Sequence, residues 1–97
     1  MKVNDMKEMD CVEVLVEKEI YANGGVHKGM NGWICDPRCI EGYWLVNFPQ
    51  CGAKEDIATL ALKEEDLKVI SVLNASINEQ IKKIVNKGSE DLDDYLI

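Results

Sequence analysis

The chain has 97 residues, 46% of them hydrophobic and 30% charged, with a net charge of −7. That size suits a single domain with appended terminal segments. The charge argues against nucleic-acid binding, which rests on Lys and Arg neutralising phosphates, and Arg38 is the single arginine. No apolar run approaches the ~20 residues of a membrane span.

Residues 1–9 form an N-terminal extension that alternates charges with isolated Met and Val. It lacks the apolar core of a signal peptide, so a cytoplasmic location is expected. Residues 10–73 carry eleven acids against six bases, and residues 88–97 carry four acids and no base. Acidity of this kind commonly serves solubility; the sharper reading is that it meets a basic protein.

Cys11 to Lys18 alternates β-branched with polar residues and reads as a strand with Val12, Val14 and Val16 inward. A long loop is expected from Glu19 to Asn31, where closely spaced glycines permit several sharp turns. Gly32 to Cys35 opens a second strand, and Asp36-Pro37-Arg38 is a turn. Tyr43 to Phe48 is the clearest strand; its period of two places Trp44, Val46 and Phe48 on one face. Asp56 to Leu62 gives a fourth strand, Lys63 to Asp66 a single 3₁₀ turn, and Leu67 to Val72 a fifth strand.

Five short strands, one long early loop and a one-turn helix before the last strand predict a mainly β fold, a small five-stranded SH3-like barrel over residues 10–73. Beyond it the period changes. Leu73, Ile77, Ile81, Ile84 and Val85 recur at helical spacing, Ser76 and Glu79 form a capping-box pattern, and Gly88 is a stop signal. These predict a C-terminal α-helix from Ser76 to Lys87, packed on the barrel in preference to a second copy. A mobile acidic tail is expected over residues 89–97.

Asp10-Cys-Val-Glu-Val14, the loop ending Gly25-Val-His-Lys-Gly29-x-x-Gly32, Tyr43-Trp-Leu-Val-Asn-Phe48 and Leu60-Ala-Leu-Lys-Glu-Glu-Asp-Leu67 together resemble a bacterial family of small SH3-like barrels of unknown function. The likeness spans residues 10–72, apart from the insertion carrying Cys35 to Cys39. It implies the fold and no catalytic residue. Some members of that family are thought to act as antidotes to bacterial toxins, which implies a protein partner.

The chemistry-bearing residues are few. Cys35, Cys39, Cys51 and His27 allow a zinc reading, but only one close cysteine pair exists. A disulfide suits a secreted protein better, and free thiols acting as small apolar groups are the favoured reading. His27 is the one histidine, with no evident acid to orient it, so neither an enzyme nor a cofactor is expected. Glu64, Glu65 and Asp66 read as a solvated cluster. Tyr21 and Tyr43 are expected at the surface, and Trp33 in the core or at the floor of a groove.

The leading expectation is a non-enzymatic protein-binding module. Its surface involves Tyr21, His27, Trp33 and Tyr43, with Glu17, Glu19 and Glu41 nearby. The sharpened form is an immunity protein that neutralises a basic bacterial toxin. Alternatives are a zinc-binding structural domain and an accessory subunit of a larger enzyme, and a monomer or weak homodimer is expected.

Overall fold

The computed structural model describes residues 6–50 and 56–96, with side chains as far as Val85 in the final helix. In chain order the elements are β1 (Cys11–Val14), α1 (Glu19–Ala22), β2 (Asn31–Ile34), β3 (Tyr43–Phe48) and β4 (Ala58–Lys63). A 3₁₀ turn (Glu64–Asp66), β5 (Leu67–Ile70) and α2 (Ala75–Leu96) follow. The fold is mainly β, a five-stranded antiparallel sheet with a C-terminal helix, in the order β4-β3-β2-β1-β5.

Alternation along the strands sorts side chains to two faces. Cross-strand pairs Val14 with Leu67, Ile34 with Val46, and Trp44 with Leu62 line the inner face. Val12, Phe48, Val26, Met30 and Tyr21 complete the buried core, with Val16 packed at its margin. Met6 is buried there too, so the expected extension is anchored by its sixth residue.

The sheet is strongly bent. β4 and β5 lie at opposite edges, yet only the 3₁₀ turn joins them. Four Cα steps reach at most about 14 Å, whereas five strands laid flat set their edges about 19 Å apart. The edges therefore converge at this end. No ladder joins β4 to β5 among the described residues, so the sheet keeps two hydrogen-bonding edges and is not closed into a barrel. Close packing inside the bend explains Gly32: a Cβ there would lie 2.6 Å from Val46 Cγ1 and 2.7 Å from the Asn47 carbonyl oxygen.

Other details differ from expectation. The first strand stops at Val14, and the long loop contains α1, which Tyr21 pins to the core. Glu41 and Gly42, with φ of 53° and 84°, form the two-residue turn that opens β3, where Ile40 and Tyr43 exchange backbone hydrogen bonds. Asn74, not Ser76, caps α2: its Oδ1 accepts from Ser76 N at 3.1 Å and from Ser76 Oγ at 2.8 Å.

The helix does not end at Gly88. It runs to Leu96 and takes in the segment expected as a mobile tail. A mid-helix glycine costs only about 1 kcal/mol, no proline interrupts, and apolar residues keep helical spacing through Leu92 and Tyr95. No helix among the described residues is long and apolar enough to cross a membrane.

Asn78 holds the helix to the sheet. Pro49 stands opposite Asn31 in the β2–β3 register but has no N–H to donate. The fully buried Asn78 side chain fills that place. Its Oδ1 accepts from Asn31 N at 2.7 Å, and its Nδ2 donates to the carbonyl oxygens of Asn31 at 2.7 Å and Pro49 at 2.9 Å.

Candidate functional site

The residues expected to form one surface are distributed over three places. The first centres on Tyr21, which is 3% exposed and so belongs to the core, contrary to expectation. Its hydroxyl donates to Asp66 Oδ2 at 2.6 Å and accepts from Lys63 N at 3.1 Å. Lys18 Nζ reaches the same carboxylate oxygen at 2.7 Å and lies 5.5 Å from the Tyr21 ring centroid.

Asp66 is 4% exposed, so it is not part of a solvated cluster. Its neighbour Glu64 accepts a hydrogen bond from Trp44 Nε1 at 3.0 Å. Burial pushes the Asp66 carboxyl up, but hydrogen bonds from Lys18 and Tyr21 and the charges of Lys18 and Lys63 outweigh it and hold it below its ordinary value. Burial raises the Tyr21 hydroxyl, and donation to Asp66 raises it further.

Over this buried anchor lies a groove of about 310 Å³, walled by Lys18, Ile20, Tyr21, Tyr43, Leu60, Ala61 and Lys63. Ile20 is 72% exposed and Tyr43 38% exposed, and exposed Leu45 and Ala61 continue the apolar surface as a cross-strand pair. The groove follows the outer edge of β4. Glu64 N donates to the Gly42 carbonyl, which sets the phase of the ladder: Ala58, Leu60 and Leu62 bond to β3. Thr59, Ala61 and Lys63 therefore turn their N–H and C=O groups outward. Tyr21 accepts the Lys63 N–H; among the described residues nothing pairs with Thr59 or Ala61 on that side.

His27 and Glu17 form the second place. His27 Nδ1 lies 2.8 Å from Glu17 Oε2, and Lys28 N donates to Glu17 Oε1 at 2.8 Å. The Lys28 backbone bond, followed by His27, outweighs a small desolvation effect and lowers the Glu17 carboxyl. Glu17 is thus the acid that orients His27, ten residues earlier in the chain. His27 also borders a second cavity of about 310 Å³ with Ala22, Gly25, Ile57, Lys82 and Val85.

Trp33 is the third place, half-buried on the outer face of β2, where its Nε1 donates to Asn47 Oδ1 at 3.1 Å. Asn47 Nδ2 in turn donates to Asp56 Oδ2 and Thr59 Oγ1. Glu19 and Glu41 are exposed and precede the groove residues Ile20 and Tyr43 by one and two positions in the chain.

Cys11, Cys35 and Cys39 are free thiols, and burial pushes the Cys35 thiol up, away from the thiolate form. No three metal-capable side chains come together among the described residues. Cys51 lies outside the described residues.

Asn31, Asn47 and Asn78 escaped the sequence reading, and Asp66 is buried where a solvated cluster is expected. Asn78 sits among Ile77 and Ile81 on the apolar side of its helix, and that single polar interruption is the one available signal. No family model matches this chain, and neither does any curated protein or solved structure.

Proposed function

We propose that this chain is a non-enzymatic protein-binding module with an SH3-like arrangement of strands, and that it takes an extended segment of a partner along the free edge of β4. The strand order supports the SH3-like reading: four strands meander, the fifth returns beside the first, and a single 3₁₀ turn links the converging edges.

One observation carries the binding mode. The outward N–H and C=O groups of Thr59 and Ala61 run beside a groove walled by Ile20, Tyr43 and Leu60. An added strand draws affinity from main-chain hydrogen bonds and selectivity from pockets that accept alternate side chains. Tyr43 supplies contact area with few torsions to freeze. The net charge of −7 favours fast association with a basic partner. Neutralisation of a basic toxin is the biological form of this reading.

Selection of extended peptides from a displayed library tests the mode. Tyr43→Ala removes a groove wall, and Ala61→Pro removes an outward donor without breaking the β3–β4 ladder. Both variants, still folded by thermal melting, are expected to weaken selected peptides by at least about tenfold. Binding untouched by both overturns the edge mode. Co-purification from the native host tests the toxin reading separately: recovery of a basic protein whose toxicity this chain suppresses supports it. Failure to recover one removes the toxin reading and leaves the groove.

A further inference from the structure

The free edge of β4 is closed at one end. Thr59 and Ala61 turn their N–H and C=O groups outward, but the next outward N–H, that of Lys63, is already donated to the Tyr21 hydroxyl at 3.1 Å. The same hydroxyl donates to Asp66 Oδ2 at 2.6 Å, so the ring is held across the edge from two directions. A segment added along β4 therefore loses its ladder partner at Lys63, and there it ends or turns away.

The groove walls at that end carry one sign of charge. Of the residues lining the groove, the charged ones are Lys18 and Lys63. Lys63 pairs across the ladder with Tyr43, and it is in no salt bridge among the described residues. Lys18 Nζ donates to the same Asp66 oxygen as the Tyr21 hydroxyl, so its ammonium lies beside the blocked end. That side chain is 38% exposed, whereas Asp66 is buried and fixes the ammonium from below without occupying the groove. An ammonium has three donors, and Asp66 takes one of them. A chain that ends here presents either a carboxylate or an ammonium; two lysines attract the first and repel the second.

Building on the edge-binding mode proposed above, we infer that the groove captures the free C-terminus of its protein partner, with the terminal carboxylate held by Lys18 and Lys63. The captured segment then runs parallel to β4, since the lysines stand at the C-terminal end of that strand. Its alternate side chains face Ile20 and Leu60 on one side and Tyr43 and Ala61 on the other, so apolar residues suit both sets of positions. The net charge of −7 acts at long range on the body of a basic partner, whereas this contact concerns only its last residue.

Two displayed libraries test the inference, one presenting extended peptides with free C-termini and the other fusing them at both ends. Binders are expected from the first. The strongest, synthesised as free acid and as C-terminal amide, is expected to bind at least about tenfold more weakly as the amide, by fluorescence anisotropy. That preference is expected to shrink at high salt. Lys63→Gln, with its fold checked by thermal melting, is expected to reduce the acid-over-amide preference by at least about threefold. Equal affinity of the two forms overturns the inference, as do binders drawn from the second library alone; in either case, sensitivity to Tyr43→Ala and Ala61→Pro leaves the edge mode standing. An undiminished preference in Lys63→Gln overturns the placing of the carboxylate on the lysines. Binders from neither library remove the edge mode and the C-terminal capture together.

Discussion

Replacing Asn78 with alanine isolates the contact that docks α2. The side chain is fully buried and serves three backbone groups, the Asn31 N–H and the carbonyls of Asn31 and Pro49. Removing it leaves all three without that partner, at about 1–3 kcal/mol for each buried group. Carbonyls tolerate the loss better than the N–H, so about 3–5 kcal/mol is expected in all, a large part of the 5–15 kcal/mol typical of a domain. Urea unfolding followed by the fluorescence of Trp33 and Trp44 measures it.

Asn78→Asp sharpens the test, because it keeps the acceptor and turns the donor into a second oxygen facing two carbonyls. Such a carboxyl titrates above its ordinary value in the folded state, so its deficit against wild type is full at neutral pH and shrinks as pH falls through that raised value. An alanine variant within about 1 kcal/mol of wild type would refute the strand-surrogate role, given that three lost bonds cannot be that cheap.

Other outcomes follow from the same structure. Gly32→Ala is expected to cost at least about 2 kcal/mol in chemical denaturation, because its Cβ meets Val46 and a backbone carbonyl inside the bend. Glu41→Asn should stabilise by about 0.5–1 kcal/mol, since asparagine accepts the positive φ that strains glutamate at the turn; thermal melting checks it. Tyr21→Phe removes the hydroxyl between Asp66 and Lys63 N and is expected to cost about 1–2 kcal/mol by urea unfolding. Asp66 is depressed in the folded state, so its contribution is complete above the ordinary carboxyl value of 3.8 and is lost as pH falls through the lower folded value. Acid titration of stability should therefore show a smaller low-pH decline in Asp66→Asn than in wild type.

Much of the architecture was legible in the chain because local periodicity encodes it. Tyr43 to Phe48 emerges as a strand with the expected inner face, the 3₁₀ turn sits before β5, and Val12 and Val14 point inward. These depend on spacing between near neighbours, which a linear reading contains. The helix beginning was near, but its end was not. A glycine stops a helix only if it adopts the left-handed conformation, and nothing local forces Gly88 to do so.

The groove and its anchors belong to the tertiary structure. Tyr21 became a core residue because Asp66, 45 positions away, receives its hydroxyl. His27 acquired an orienting acid because the loop folds back on Glu17. Asn78 reaches β2 across 47 positions, and only the register that places Pro49 opposite Asn31 makes an asparagine necessary there. Hydrophobic alternation determines which residues leave water, since it acts through local geometry. The pairing of buried polar groups depends on distant backbone that must supply their missing hydrogen bonds, and only the assembled sheet brings that backbone into reach.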